Sequence, residues 1–537
     1  MVEITYTKDG SDIDIVSSDE NVEISSAQKD GRNTVYVKAL SDIELKRARI
    51  LLGASFSNDD LILANGYQSW TQTEEFSHKE HLNDLARLPK AINDRYHFKS
   101  YGSQYFIPMT EKEILGFDFS YVKGGDPLFI GSFNYRNAYL IIHFLRKSGM
   151  IILESDVEGR ELKTGETFTV FDYITAEDGE DYFGSFHPVS SKKLFGYTSW
   201  YNYYQDINDV KINKALEETD PRFDLFQIDD GFETFVGDWM DVDSEKFPEG
   251  LKGIIDRIHE KKMMAGIWLA PLVAETDSKV MKEHPDWIAK VNGKPIYAGS
   301  NWSGFCPLDL NDPEAIDYIK AVLEHYSSIG FDFFKLDFLY AADMKPLRGK
   351  TRAETTEFIY DLIRKELKDK IILGCGAVLS NAAERFDYCR IGPDVSLSFD
   401  DAPYMKMFHP ERISTKVTIK NTIYRSMLNG HFFMIDPDVF LLRNDIKLTS
   451  DQRISLAGIN ALFGSVMMTS DNIGEYSDRK KTALEHAMNL FYNGKVISYE
   501  REGRYIDIRY ELRGVPGAFL YDTEKGMIIR KKMEDIK

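Results

Sequence analysis

The chain has 537 residues, 43% apolar and 28% charged. These are values of a globular protein with a substantial core, and they exclude a disordered, collagenous or low-complexity chain. At roughly 150 residues per domain the length suggests about three to four domains, or one large barrel with small partners. Basic residues number 66 against 86 acidic ones, a net charge of −20, which makes nucleic acid and anionic membrane poor partners.

No apolar stretch reaches the roughly 18 residues that span a bilayer. The opening MVEITYTKDG lacks a basic stretch followed by an apolar one, so no secretory signal is read there and a cytoplasmic location is expected. Three cysteines, Cys306, Cys375 and Cys389, are no disulfide framework in a chain of this length. Aromatic residues make up 13%, which suits a sugar cleft or simply a large core.

Residues 1–190 read as an N-terminal β-sandwich of the supersandwich kind. Short alternating runs such as Glu3–Thr7, Asn33–Lys38 and Thr167–Tyr173 are separated by turn signals (KDG, KDGRN, KGGDP, LKTGE). From residue 191 to 492 the rhythm becomes apolar strand, turn, helical segment. Eight strands are predicted: Phe195–Tyr201, Leu225–Asp230, Ala265–Pro271, Phe333–Phe338, Ile371–Gly376, Tyr388–Gly392, His431–Asp436 and Ser465–Ser470. Helices are expected between most of them, among them Gly250–Lys261 and Pro313–Ser328, the latter with proline in its first turn. The fold class is therefore α/β, a (β/α)8 TIM barrel. Residues 493–537 alternate again and read as a small C-terminal antiparallel β-domain.

In such a barrel the chemistry sits at the carboxyl ends of the strands, and here those ends are polar. Strand one runs into Ser199-Trp200-Tyr201-Asn202, strand two into Asp229-Asp230-Gly231, and strand four carries Lys335 and Asp337. Strand five ends in Cys375-Gly376, strand six leads from Arg390 to Asp394, and strand seven ends in Asp436-Pro437-Asp438.

Lys335 and Asp337, two apart, share one face of their strand. A carboxylate beside an ammonium stays ionised, as a carboxylate nucleophile must; a buried structural ion pair is the plainer reading. Asp229 and Asp230 offer adjacent acceptors for hydroxyl groups, or merely cap a turn. Asp394, facing Asp337 across the barrel mouth, would serve as a general acid, unless it too is a cap. The gap between two such carboxyls separates retaining from inverting glycosidases. Trp70, Trp200 and Trp268 can stack on a pyranose or pack in a core.

No HExxH, Walker loop or GxSxG elbow occurs. His78 and His81 provide only two metal ligands, and Asp436 and Asp438 lack His or Glu partners nearby in sequence, so neither metal nor cofactor is expected.

At these residues the chain resembles the α-galactosidases of glycoside hydrolase family 36, particularly the shorter bacterial and archaeal members. The similarity is collinear from about residue 195 to 443 and is carried by FGYTSWYNYY, FQIDDGFE, GDWMDVDSEKFPEGLKGI, GIWLAP, HPDW, FFKLDF, ILGCGAVL, RIGPD and DPDVFLLR. It implies a retaining exo-α-galactosidase acting on oligosaccharides such as melibiose or raffinose. Asp337 would then be the nucleophile and Asp394 the acid/base. Lys335 and Arg390 would bind sugar hydroxyls, and Asp229 and Asp230 would grip O4 and O6. Trp200 and Trp268 would line the pocket, Cys375 would lie near C2, and Trp70 would reach over from the sandwich. The chain departs from the family's usual aromatics at Tyr197 and Phe232 and in CGAVLSNAAERFDYCRIG. Hydrolysis of α-N-acetylgalactosaminides, galactosyl transfer and non-catalytic sugar binding are the alternatives.

Overall fold

The computed structural model describes residues 1–77, 80, 113–190, 192–402 and 412–530. The candidate ligands His78 and His81 lie outside the described residues.

All eight expected barrel strands form: β1 Leu194–Thr198, β2 Leu225–Ile228, β3 Met264–Leu269, β4 Phe333–Leu336, β5 Ile371–Gly374, β6 Tyr388–Arg390, β7 Met434–Asp436 and β8 Val466–Thr469. They run in parallel in the order β7-β6-β5-β4-β3-β2-β1-β8. Two backbone bonds draw the ends of this sheet together, Ser465 N to Ile435 O and Phe440 N to Met468 O, each 2.9 Å. Every residue of β1, β2 and β4 is buried, which is why these strands read as mostly apolar runs, a parallel sheet wrapped in helices having no wet face; Thr198, Gln227 and Lys335 are the polar exceptions.

Each strand is followed by a helix: α1 Asp209–Glu218, α2 Lys252–Glu260, α3 Pro313–Ser328, α4 Arg352–Leu367, α5 Leu379–Ala382, α6 Thr415–Tyr424, α7 Ser450–Phe463 and α8 Asp478–Asn493. Their starts are written locally. Asp312 accepts from Glu314 N and Ala315 N ahead of Pro313, and Thr351 with Glu354 and Thr449 with Gln452 form reciprocal capping boxes.

The described residues between 2 and 176 build two antiparallel sheets of seven strands each, which bury a shared core that includes Ile4, Val37, Leu45, Ile142 and Val170. The expected turns at Asp9-Gly10 and Asp30-Gly31 put both residues of each pair at positive φ, the twist that suits a tight hairpin. At the other end, Gly494–Glu502, Tyr505–Leu512, Val515–Asp522 and Met527–Arg530 form a four-stranded antiparallel sheet directly after α8.

Candidate active site

The strand ends converge on one cavity of about 300 Å³, lined by Trp70, Trp200, Asp229, Asp230, Trp268, Lys335, Asp337 and Asp394 among the expected residues. Its walls also include Gln205, Asn301, Trp302, Phe338, Pro393, Asp401, Arg412 and Ile413.

Asp337 is the first residue beyond β4. Its Oδ2 accepts from the indole N–H of Trp268 at 3.0 Å, and its Oδ1 from the backbone N–H of Phe338 at 2.9 Å. That second bond accompanies a left-handed Phe338, φ 55° and ψ 31°, a strained conformation for an aromatic residue at a functional position. Burial pushes the Asp337 carboxyl above its ordinary range; Lys335 opposes this, the charge of Asp394 adds to it, and hydrogen bonds from Trp268 and Cys375 favour the anion.

The ion pair expected within β4 is not the one that forms. Lys335 and Asp337 both face the cavity, but the Lys335 ammonium donates across the barrel to Asp229 Oδ2 at 3.0 Å. Burial works against this ammonium, yet Asp229, assisted by Asp337, outweighs it and holds Lys335 firmly protonated. Asp229 Oδ2 also accepts from Gln227 Nε2 at 2.6 Å and Thr198 Oγ1 at 3.2 Å.

Asp230 faces the cavity with Gln205 Nε2 3.2 Å and Trp302 Nε1 2.9 Å from its oxygens. Gly231 makes this possible. It has φ 115°, and a Cβ there would lie 2.7 Å from the backbone of Gln205, so only glycine lets the chain turn against that segment.

Two of the expected sugar-binding residues are Arg390 and Cys375. Neither belongs to the cavity wall. Arg390 is buried and holds three carboxylates: Nη1 donates to Asp394 Oδ1 at 2.9 Å, Nε to Asp436 Oδ2 at 3.2 Å, and Nη2 pairs with Asp438 Oδ1 at 2.8 Å. A guanidinium forked among three acids has little left to offer a sugar; it positions Asp394. Asp436 and Asp438, weighed above as cation ligands, are thus committed to Arg390. Cys375 is fully buried and bonds to Asp337 from behind.

Trp70 arrives from the sandwich. Its loop pairs with the chain after β5: Ser69 N donates to Ala377 O, and Ala377 N to Ser69 Oγ, both at 2.9 Å. The Trp70 ring meets Phe338 and Tyr340 edge-on, with centroids 5.1 and 5.5 Å away. Two buried residues at the end of the barrel helix α6 secure the loop. Arg425 donates to the carbonyls of Gly66, Gln68 and Ser69 and to Ile391 O. Asn421 accepts from Thr73 N and donates to Thr71 O.

The sequence reading missed Trp302. It sits in the excursion between β3 and α3, beyond the pairing of Val273–Glu275 with Phe305–Pro307, away from any barrel strand end. A lone tryptophan inside the turn-rich SNWSG was its one signal. Beyond Asp394 a second recess of about 490 Å³ shares Trp200, Asp394, Asp401 and Ile413 with the cavity and extends to Tyr204, Ser396 and Lys447.

Comparison with known proteins bears on this site. Residues 189–389 match the family model described as Melibiase. The matched stretch covers less than half of the chain. It contains Asp229, Asp230, Lys335 and Asp337, while Asp394 follows shortly after the melibiase match ends. An α-galactosidase of Escherichia coli is 32% identical over 152 residues, 26% of this chain and 21% of that protein. The α-galactosidase Mel36A of Lactobacillus acidophilus is 27% identical over 209 residues, 35% of this chain and 27% of that protein. The aligned stretches thus span about a quarter or less of these relatives. In three dimensions the chain is similar to TtGalA, an α-galactosidase of Thermus thermophilus solved with p-nitrophenyl α-D-galactopyranoside (TM-score 0.70, 21% identity, 92% of this chain and 98% of that one). It is also similar to the α-galactosidase AgaA of Geobacillus stearothermophilus solved with raffinose (TM-score 0.62, 13% identity, 96% and 80%). At these identities the likeness establishes a shared fold. Among the described residues no helix is long and apolar enough to cross a membrane.

Proposed function

We propose that the protein is a retaining exo-α-galactosidase, with Asp337 as nucleophile and Asp394 as acid/base. The observation that carries this reading is the meeting of these two carboxyls, from the ends of β4 and β6, in the wall of one cavity of about 300 Å³, the small end of the range for small-molecule sites. Asp337 attacks the anomeric carbon while Asp394 gives its proton to the departing oxygen. Asp394 then takes a proton from water, and the water oxygen cleaves the glycosyl ester with net retention. This chemistry calls on no cofactor.

The surroundings support these roles. Trp268 and the Phe338 N–H hold Asp337 by both oxygens, and the buried Lys335 ammonium favours its anion. Arg390 fixes Asp394 from below, while one edge of that carboxyl stays toward the second recess, where a leaving sugar has room. Asp229 and Asp230 are the acceptors for hydroxyls of the bound galactose, Trp70 and Trp200 supply apolar faces, and Trp302 closes the same side through Asp230. The galactoside substrate class follows the melibiase match and relatives named α-galactosidases, and the chain's own substrates would be short α-galactosyl oligosaccharides in the cytoplasm.

A panel of nitrophenyl α-galactoside, α-N-acetylgalactosaminide and α-glucoside tests the substrate class. Strong preference for the galactoside is expected. Preference for the N-acetyl sugar, or silence on all three from folded protein, would overturn it.

A further inference from the structure

Behind Asp230 lies a carboxyl that the proposed mechanism does not use. Glu233 is buried in the turn after β2, and its Oε2 accepts from Gly231 N at 3.2 Å. Its carboxyl and that of Asp230 hydrogen-bond each other. Two carboxylates have no proton with which to make that bond, so one of the pair is an acid. Asp230 already receives N–H groups from Trp302 and Gln205, which favour it as the anion. The proton therefore belongs on Glu233.

Other charged and titratable groups surround the pair. Burial and the charge of Asp229 raise the Asp230 carboxyl, against the hydrogen bonds from Glu233, Trp302 and Gln205 that favour its anion, and Glu275 stands close enough to Asp230 to feel its charge. Tyr326 of α3, which senses Glu233, spends its hydroxyl on Trp239 O at 2.6 Å. The Lys246 ammonium is bound to Gly231 O at 2.9 Å and Gln205 O at 3.1 Å, and Asp243 stands 3.9 Å from it. Burial first, then the charge of Asp230, push the Glu233 carboxyl well above the ordinary range.

We propose that Glu233 is a positioning residue for substrate binding: as a neutral acid it donates its proton to Asp230 and so presents Asp230 as one oriented anion to a sugar hydroxyl. This rests on the reading of the cavity as an α-galactoside site. When alkali removes the proton, the bond is lost and two anions face each other in a buried turn. Asp230 then swings away, and affinity falls while the reacting carboxyls stay in place.

The test is kcat and KM for nitrophenyl α-galactoside between pH 5 and 10, with a melting curve at each pH, for wild type, Glu233→Gln and Glu233→Leu. Wild-type KM is expected to rise at alkaline pH. Glu233→Gln, whose amide N–H donates at every pH, should keep KM within about twofold of the wild-type low-pH value throughout, because it preserves the hydrogen bond. Glu233→Leu should raise KM about tenfold at all pH values, the factor that corresponds to ~1.4 kcal/mol. A Gln variant whose KM climbs with pH as wild type does overturns the proposal, as does a folded Leu variant with wild-type KM. If the Leu variant does not fold, the Gln variant alone decides. A wild type that cleaves no α-galactoside overturns the substrate reading itself and the positioning role with it, an outcome distinct from an active wild type with unmoved variants.

Discussion

Lys335 gives its hydrogen bond to Asp229, 3.0 Å away across the barrel, and leaves Asp337, two residues further along its own strand, to the indole of Trp268. Adjacent side chains on one strand face are the natural pair in a sequence, but both oxygens of Asp337 are already taken by Trp268 and the Phe338 N–H, and the ammonium goes to Asp229. Asp229 is held by Gln227 and Thr198. The consequence is that the proposed nucleophile is stabilised by neutral donors and by a nearby positive charge not bonded to it.

That arrangement sets the acid limb of activity. A nucleophile works ionised, and the Asp337 pKa is raised by burial, so kcat/KM should fall, as pH falls, at a pH above the ordinary aspartate range. Trp268→Phe removes a donor that favours the anion and should move the limb to still higher pH. A pH–rate profile checks this, and a limb that stays put or moves down contradicts it.

Asp394 is expected to matter in proportion to how badly the leaving group needs a proton. Asp394→Ala should cost about 10²–10⁴-fold on a disaccharide and much less on an activated nitrophenyl or dinitrophenyl galactoside. Equal losses on both would remove it as the acid.

Trp70 should act through affinity. Trp70→Ala is expected to raise KM about tenfold, ~1.4 kcal/mol, with the melting temperature of the barrel little changed. Gly376 gives an independent handle on the same ring. Its φ is 54°, and a Cβ there would lie 3.0 Å from the Trp70 indole. Gly376→Ala should therefore displace the ring and raise KM in the same direction. Unchanged KM in both variants would mean that the sandwich loop covers the site without contributing to it.

Arg390→Met leaves Asp436 and Asp438 buried without their cation, and breaking such a pair costs about 3–5 kcal/mol. Even beside Arg390, burial raises the Asp438 carboxyl to about 7. The variant should melt earlier and lose activity together. Arg390→Lys keeps the charge but not the fork, and should recover stability more than rate. Full activity in Arg390→Met, read by kcat/KM with a thermal melt, would contradict the positioning role.

The barrel was legible because strands buried on both faces are predominantly apolar. Strand ends were less legible. Leu225–Asp230 was read as one strand, but pairing stops at Ile228 and the two aspartates belong to the turn. The polar residues that lengthen the pattern are those released from the ladder to face the cavity. Asp229, Asp230, Lys335, Asp337 and Asp394 were found because each sits at or just beyond a strand end. Trp302, Asn301 and Gln205 were not, because they reach the cavity from connections whose path depends on close backbone approaches such as Gly231 against Gln205. Arg390 and Cys375 stand behind the residues that line the cavity. Position on a strand end located them near the site, but only the neighbouring carboxylates reveal that one braces Asp394 and the other backs Asp337.

The most direct measurement follows the anomeric configuration of the first galactose released from nitrophenyl α-galactoside by proton NMR. Double displacement through Asp337 predicts α-galactose first, with β appearing only by later mutarotation. Initial release of β-galactose would contradict it and require a single inverting displacement by water.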